Sequence, residues 1–373
     1  MSRAERRRQR RAIIIACLLA IVLVAAAVVV GLLLRDDEAA GVRTEPDDPS
    51  TTTSTPPTTT RGPRGSGEPV TFAFGGDVHF ETHLGAALAS DPNGLLAPIA
   101  PVLGAADIAV VNLETAITNR GTPAAKEYVF RAPATAFTAL RAAGVDIASM
   151  ANNHGVDYGP EGLADSLAAA AAADFPLVGI GRDAKAAFTP HRTVVRGQRI
   201  AIIGATQVLD DNLIGAWTAT ATQPGLASAK DVRPLLAAVR DARADTDTLV
   251  VFLHWGVERA TCPSATQQTL AAELVDAGAD IVVGSHAHVL QGAGRLGRAV
   301  VAYGLGNFVF YNESGAAGVS GVLEVTATGR DIDGYRWVPA RLRNGVPVPL
   351  TGDAAEADRA AWSELRACTG LAP

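Results

Sequence analysis

Histidine, carboxylate and asparagine side chains cluster directly after five short apolar runs of this 373-residue sequence. The first run is followed by Gly-Gly-Asp-Val-His, and the later runs by Asn-Leu-Glu, Asn-Asn-His, His-Trp-Gly and Gly-Ser-His-Ala-His. The candidate functional residues in these motifs are Asp77, His79, Glu114, Asn153, His154, His254, His286 and His288. Each motif alone fits a turn, a cap or a buried hydrogen bond. Their joint occurrence at successive run ends favours a binding site.

The donor groups in these motifs are imidazoles, carboxylates and amides, without a thiolate. Nitrogen and oxygen ligands of this kind suit zinc, manganese or iron. Because there are too many ligands for one ion, we expect two divalent metal ions that share a bridging carboxylate. Two ions about 3.5–4 Å apart activate a water molecule and clamp the attacking and leaving oxygens of a displacement. The sequence therefore predicts a two-metal site for hydrolysis or group transfer.

The elements around these motifs alternate between strands and helices from residue 70 onward. Apolar, β-branched runs predict strands at 70–74, 107–112, 145–150, 199–204, 248–253, 280–284 and 298–304, with two more at 322–325 and 334–338. Alanine-rich segments predict helices at 95–103, 134–143, 160–173, 231–241 and 264–277. This pattern is typical of an α/β domain with a buried sheet. In such sheets ligands bind outside the carboxyl ends of the strands, so the five motifs should converge.

The ordered motifs resemble those of a known protein family. The order GD-x-H, NLE, NNH, HWG, GSHAHV and YGLGNF resembles the CapA-type capsule synthesis family, which is associated with poly-gamma-glutamate production. That family is similar in turn to the calcineurin-like metallophosphoesterases. The resemblance covers roughly 70 to 340. It implies an α/β domain over 70–345 with a four-layer α/β/β/α sandwich of metallophosphoesterase type, followed by a C-terminal tail at 346–373.

The resemblance also implies roles for individual residues. The first metal ion would be held by Asp77, His79 and His288, and the second by Asn153, His254 and His286. Glu114 stands where the phosphoesterases place a bridging aspartate, and it is the candidate bridging ligand. His154 matches the catalytic histidine that protonates a leaving group. Arg131, in the segment YVFRAP, is a candidate for binding a phosphate or carboxylate of the substrate.

The first 69 residues have a different composition from the rest. A basic segment, 1–11, precedes 23 uncharged, mostly apolar residues at 12–34, which as a helix span roughly 34 Å. The flanking arginines predict a cytoplasmic N-terminus and an extracytoplasmic domain. A cleaved signal peptide is the alternative, but its apolar region is usually shorter, about 7–15 residues. Residues 35–69 are rich in Pro, Thr, Ser and Gly and predict a disordered linker.

Charge and cysteine content limit the partners of the outer domain. The first 34 residues carry six arginines and one glutamate, so their net charge of +5 leaves −11 for the rest of a chain whose total is −6. A domain this acidic is not expected to bind nucleic acid. Cys262 and Cys368 both follow the predicted anchor, where oxidation is permitted, and they are candidates for a disulfide. Two free thiols are the alternative.

Three functions fit these observations. The first is a membrane-anchored, metal-dependent hydrolase or transferase that acts on an anionic polymer or a phosphate-containing substrate, in company with a membrane synthase complex. The second is a non-catalytic factor that binds the nascent polymer and assists its assembly or export. The anchor, the linker and the departures from the phosphoesterase motifs, such as Glu114 in place of a bridging aspartate, motivate this alternative. The third is a general cell-wall phosphatase that has no connection with a capsule.

Overall fold

The computed structural model of the chain describes Gly62 and residues 64–373. The predicted membrane anchor at 12–34 and most of the predicted linker at 35–69 lie outside these residues. Within the described part of the chain, no helix is both long and apolar enough to cross a membrane. The anchor therefore stays a prediction from the sequence.

The described residues form a mixed α/β domain, which confirms the predicted class. The strands are β1 Val70–Val78, β2 Ile108–Leu113, β3 Ala116–Ile117, β4 Arg131–Ala132, β5 Ile147–Ser149, β6 Leu177–Val178, β7 Ile180–Gly181, β8 His191–Val195, β9 Gln198–Thr206, β10 Gly225–Leu226, β11 Thr248–His254, β12 Ile281–Ser285, β13 Ala293–Leu296, β14 Ala299–Ala302, β15 Asn307–Val309, β16 Val319–Thr328, β17 Asp331–Arg343 and β18 Val346–Pro349. The helices are α1 His83–Ser90, α2 Ala100–Leu103, α3 Thr135–Ala142, α4 Gly159–Ala172, α5 Ala184–Phe188, α6 Ile214–Trp217, α7 Arg233–Arg243, α8 Ala265–Ala277 and α9 Gly352–Glu364.

Two predicted elements differ from the structure. The helix expected at 95–103 is reduced to the four residues of α2, because Pro98 lacks the N–H donor that an interior helical position needs. The segment expected as a C-terminal tail instead contains β18 and α9. Helix α9 contacts β17, so this segment belongs to the folded domain.

Two large sheets carry the strands that end at the polar motifs. One has the order β18-β17-β16-β1-β2-β5-β6, with β15 also paired to β1. The other has the order β13-β14-β12-β11-β9-β8. Strands β1, β2 and β5 are parallel to one another, as are β9, β11, β12 and β14. The remaining strands of the two sheets extend them mostly as antiparallel partners.

Three buried apolar clusters separate four successive layers. Helices α1, α3 and α4 pack against one face of the first sheet through residues such as Leu84. The second cluster lies between the two sheets, where the rings of Phe74 and Phe252 are 6.5 Å apart. Helices α7 and α8 cover the outer face of the second sheet, where Leu235 and Val251 belong to one cluster. Most strands are thus covered on both faces, which explains their continuous apolar runs.

Strand register brings the polar motifs side by side. Asp77 at the end of β1 is level with Asn112 on β2 and with Asn307 on β15. His254 at the end of β11 is level with Ser285 on β12. Because these strands are parallel, their carboxyl ends share one edge of each sheet. This is the edge at which α/β sheets bind ligands.

Two glycines at these strand ends permit close packing of the backbone. A Cβ atom on Gly76 would lie 1.9 Å from the carbonyl oxygen of Gly306, and one on Gly284 would lie 2.1 Å from the carbonyl oxygen of Tyr303. That same Tyr303 oxygen accepts a hydrogen bond from Nε1 of Trp255 at 2.8 Å. A side chain at either glycine would therefore displace the loops that follow the strands.

A disulfide joins Cys262 to Cys368, which confirms the predicted pair. Cys262 lies in the loop that follows β11, and Cys368 lies just after α9. The C-terminal segment is also held by two backbone hydrogen bonds between Arg295 and Ala372, at 2.8 and 3.0 Å. The disulfide and these hydrogen bonds fasten the end of the chain to the second sheet.

Replacement of both cysteines by serine should lower the free energy of unfolding by about 2–5 kcal/mol, because the bond closes a long loop in the unfolded chain. Urea denaturation followed by tryptophan fluorescence measures this change in the full-length chain. Cys17, the third cysteine of the chain, belongs to the predicted anchor at 12–34. Cys17→Ser is therefore the matched control and should leave the midpoint unchanged. An unaltered midpoint in the double variant would contradict a stabilising role for the disulfide.

Candidate metal centre

Glu114 lies at the centre of the converging motifs. Its side chain is fully buried, and neither carboxylate oxygen has a hydrogen-bond partner within the described residues. Its Oε1 lies 3.4 Å from Nε2 of His254, 3.9 Å from Nε2 of His288 and 4.0 Å from Nε2 of His154. Burial, together with the charge of Asp77, raises the pKa of Glu114 to about 8. Such a buried carboxylate is costly unless a cation or a proton neutralises it.

Asp77 is the second buried carboxylate of the centre. It accepts hydrogen bonds from Nδ2 of Asn112 at 2.8 Å and from the backbone N–H of His286 at 3.1 Å. Its Oδ2 lies 3.3 Å from Nδ1 of His288. Burial alone would raise its pKa, but His288, with smaller help from His254 and Asn112, lowers the pKa of Asp77 to about 2. Asp77 is therefore held as an anion beside the protonatable Glu114.

His254 reaches the centre from the second sheet. Its Nε2 lies 2.8 Å from Oδ1 of Asn153, and its Nδ1 lies 3.0 Å from Oγ of Ser285. Burial lowers the pKa of His254 to about 3, so the ring is neutral. In this contact Nε2 donates its proton to the amide oxygen of Asn153. With the proton on Nδ1 instead, facing Oγ of Ser285, the neutral ring would offer the lone pair of Nε2 to a metal ion beside that oxygen.

His286 and His288 belong to the loop after β12, and both have a backbone conformation that is uncommon for residues with a Cβ atom. Their φ angles are 95° and 55°. Strained backbone of this kind is concentrated at functional sites, where the surrounding structure enforces it. Nδ1 of His286 has no hydrogen-bond partner within the described residues. Burial disfavours the charged form of His288, but Glu114 and Asp77 outweigh it and raise the pKa of His288 to about 10.

His79 lies against aromatic rings at one side of the centre. Its ring stacks on Phe130 with centroids 4.7 Å apart and meets Phe310 edge-on at 4.0 Å. Nδ1 accepts a hydrogen bond from the backbone N–H of Glu81 at 3.0 Å, while Nε2 has no partner among the described residues. Burial lowers the pKa of His79 well below its usual value. The neutral ring therefore carries its proton on Nε2, unlike a histidine that ligates through that atom.

Two overlapping groups of side chains have ligand atoms close enough to share a metal ion. One consists of Asp77, Glu114 and His254, and the other of Glu114, His286 and His288; within each, the ligand atoms lie within 4.8 Å of one another. Both groups contain Glu114, as a bridging ligand requires. The unpartnered carboxylate of Glu114 and the unpartnered Nδ1 of His286 show that the donor set fits divalent cations.

The resemblance assigned Asp77, His79 and His288 to one ion and Asn153, His254 and His286 to the other, and this division stays a prediction. In the structure Asp77 lies near two histidines, 3.3 Å from Nδ1 of His288 and 3.9 Å from Nδ1 of His254. His286 and His288 fall in one group because they leave the same loop. His79 is in neither group, although its Nε2 has no hydrogen-bond partner among the described residues.

His154 is held in place by another buried carboxylate, that of Asp157. Its Nδ1 lies 2.6 Å from Oδ2 of Asp157, which leaves Nε2 facing Glu114. The Nζ of Lys126 lies 3.0 Å from Oδ1 of Asp157, and it also donates a hydrogen bond to the carbonyl oxygen of Asn153. Burial raises the pKa of Asp157 to about 7 and lowers that of His154 well below its usual value. His154 is thus oriented to hold or take up a proton at Nε2.

The centre opens into a cavity of about 630 Å³. His154 and His288 line it together with aromatic side chains such as Phe130, and Arg259 is the only arginine among the described residues that line it. Arg131 does not line this cavity. It is exposed, and its guanidinium lies over the ring of Tyr158, 4.9 Å from the centroid. Its predicted role in substrate binding stays a prediction.

Several residues that shape the centre were not selected from the sequence. Asn152 donates hydrogen bonds to Oδ1 of Asn112 and to the carbonyl oxygen of Leu113, and Asn307 contacts Nδ1 of His288 at 2.9 Å. Their position within or next to the motifs could have identified them. No feature of the sequence pointed to Lys126, because it lies in a loop without regular secondary structure, between β3 and β4.

Comparison with known proteins relates this chain to a protein family. Residues 71–312 match the family described as "Bacterial capsule synthesis protein PGA_cap". The chain is 35% identical over 216 residues to "Capsule biosynthesis protein CapA" of Bacillus anthracis, an alignment that covers 57% of this chain and 52% of that protein. It is 31% identical over 264 residues to "PGA biosynthesis protein CapA" of Bacillus subtilis (strain 168), which covers 68% of this chain and 67% of that protein.

These alignments are partial. The chain spans about half the length of the Bacillus anthracis relative and two thirds of the Bacillus subtilis relative. Among solved structures, a hypothetical protein from Thermus thermophilus is similar with a TM-score of 0.47 and 15% sequence identity, over 73% of this chain and 100% of that one.

Glu114→Gln should abolish the stabilisation of the protein by Mn²⁺. In the wild-type chain, a Mn²⁺ concentration about 100 times the Kd should raise the free energy of unfolding by about 2.7 kcal/mol. The variant should lose this increment because a neutral amide cannot bridge two cations. Without metal, the variant should be at least as stable as the wild type, since a buried unpaired carboxylate is removed.

Chemical denaturation of both chains with and without Mn²⁺ measures these changes. Glu161→Gln is the matched control, because the Glu161 side chain is 52% exposed at the start of α4. An equal Mn²⁺ effect in Glu114→Gln and in the wild type would show that Glu114 is not a ligand.

Proposed function

Since the chain belongs to the PGA_cap family of bacterial capsule synthesis proteins, we propose that it is a metal-dependent hydrolase or transferase that acts on an anionic capsule polymer outside the cell membrane. Its relatives in Bacillus are named for capsule and PGA biosynthesis, and poly-gamma-glutamate is our candidate polymer. The fold that we propose for the catalytic domain is of metallophosphoesterase type.

The observation that carries this proposal is the carboxylate of Glu114. It is fully buried, has no hydrogen-bond partner within the described residues, and belongs to both groups of candidate ligands. Folding does not produce such a group without cost, since a protonated or hydrogen-bonded side chain would be more stable there. Two divalent cations (Mn, Fe or Zn) held around Glu114 account for its position.

The residues of the centre divide into three proposed roles. The cations would be held by Asp77, Glu114, Asn153, His254, His286 and His288, with His79 beside them, and when bound they would supply an activated water and charge stabilisation. His154, oriented by Asp157, would transfer a proton to the leaving group through Nε2. Lys126 would keep Asp157 anionic and so fix the orientation of the His154 ring.

The location of the protein is part of the proposal. We propose that residues 12–34 anchor the chain in the membrane, with the arginines at 1–11 in the cytoplasm. The described domain would then lie outside the membrane, where the disulfide between Cys262 and Cys368 is favoured. By analogy with the capsule synthesis family, we propose a membrane synthase complex that delivers the polymer as the partner.

A non-catalytic assembly factor is the second candidate function. The observation that favours it is the hydrogen bond from the backbone N–H of Glu81 to Nδ1 of His79, which leaves the proton of that ring on Nε2. If His79 does not ligate, one ion has fewer ligands than a catalytic pair needs. The protein would then bind the polymer and assist its export without cleaving it.

Activity assays with the full-length chain and Mn²⁺ separate these two functions. We expect cleavage of a phosphomonoester, a phosphodiester or poly-gamma-glutamate, and we expect His154→Ala to reduce the rate by about 100-fold or more while metal binding is retained. The same variant should reduce polymer output in a producing strain. His191→Ala, a histidine on β8, is the matched control and should leave both unchanged.

The hydrolase proposal would be rejected if the wild-type protein were inactive in all three assays and the His154→Ala strain had normal polymer output. The same pair of results is what the assembly factor predicts. Reduced output from the His154→Ala strain, with the protein folded and metal bound, would reject the assembly factor instead.

A further inference from the structure

A groove separate from the metal centre runs between β17 and α9. Its cavity of about 460 Å³ is lined on one side by residues 334–337 and on the other by residues of α9 and of the segment that follows it. A neighbouring cavity of about 410 Å³ shares Arg336, Trp337 and Arg359 with the first. The two cavities adjoin at these three residues, and neither has a lining residue in common with the cavity over the metal centre.

The strand beside this groove has a free edge. Strand β17 pairs with β16 along almost its whole length, but β18 covers only residues 340–343 on the other side. Apart from the β16–β17 ladder, no backbone hydrogen bond among the described residues reaches 333–338. An exposed sheet edge presents N–H and C=O groups that pair with an extended chain.

Four arginines surround this edge: Arg295, Arg336, Arg359 and Arg366. Arg336 pairs with Glu324. The other three have no carboxylate within 4 Å among the described residues, and the guanidinium of Arg295 donates a hydrogen bond to the carbonyl oxygen of Ile332. Three guanidinium groups without a carboxylate partner among the described residues thus lie around one groove of a chain whose net charge is −6. They favour an anionic ligand, because guanidinium geometry matches carboxylate and phosphate groups.

Two tryptophans form the floor of the groove. The rings of Trp337 and Trp362 stack with centroids 5.3 Å apart, and the side chains are 3% and 6% exposed. Neither indole N–H has a hydrogen-bond partner among the described residues. Buried tryptophans usually find a partner for this donor, so two unpartnered indoles are a second indication of a ligand that accepts hydrogen bonds.

We infer that this groove binds an extended segment of a polyamide that carries a carboxylate on each unit. The amide groups would meet the free edge of β17, and the carboxylates would meet the unpaired arginines. The inference rests on the proposed function for the identity of the polymer, which is poly-gamma-glutamate. The groove would hold the polymer, while the chemistry takes place at the metal centre.

Titration of the full-length chain with poly-gamma-glutamate tests the inference through tryptophan fluorescence. Two of the four tryptophans of the chain lie in the groove, so polymer bound there should quench the emission. The double variant Arg359→Gln, Arg366→Gln should raise the Kd at least fivefold and remove the quench. The matched control, Arg182→Gln with Arg240→Gln, removes the same charge from outside the groove and should change the Kd less than twofold.

Each alternative outcome overturns a stated part of the inference. Equal Kd values in the groove variant and the control variant would show that the polymer binds elsewhere, for example to the arginines at 1–11. Polyphosphate that binds the groove as tightly as poly-gamma-glutamate would overturn the assignment of a polycarboxylate. Groove binding in a chain that fails every cleavage assay would leave this inference intact and reject the hydrolase, so the two failures are distinguishable.

Discussion

The carboxylate of Glu114 imposes the constraint on which the rest of the centre depends. It is fully buried beside the anionic Asp77, and its oxygens have no hydrogen-bond donor among the described residues. Three imidazole Nε2 atoms lie within 4.0 Å of it. Two negative groups so close together in a low-dielectric interior repel each other strongly. Only protons or cations relieve that repulsion, and the donors around it are of the nitrogen and oxygen types that divalent cations prefer.

The fold makes this arrangement possible by distributing it over two sheets. The first sheet supplies Asp77 and Glu114, and the second supplies His254, His286 and His288 from parallel strand ends. The apolar cluster between the sheets, with Phe74 and Phe252, holds these ends at a fixed separation. The positive φ angles of His286 and His288 show that local strain is accepted to aim the rings.

The sequence identified the parts of the centre that follow directly from parallel strands. Asp77, Glu114 and His254 each lie at or just after the end of an apolar run, and parallel register brings such ends to one edge. The division of ligands between two ions stays a prediction, because it depends on loop conformations beyond the strands. Asp157 and Lys126 were missed since neither follows a strand. The arginine and tryptophan groove was also hidden, because Arg295, Trp337 and Arg366 are far apart in the sequence and α9 was expected to be a tail.

Metal content per chain, measured by elemental analysis of the purified full-length protein beside Asp77→Ala, tests the central claim most directly. The account predicts about two Mn, Fe or Zn ions in the wild type and clear depletion in the variant. Asp231→Ala, an exposed carboxylate paired with Arg233, serves as the control and should retain the wild-type content. A wild-type chain that holds no metal after reconstitution with these ions would contradict the account, and Glu114 would then have to be a protonated structural side chain.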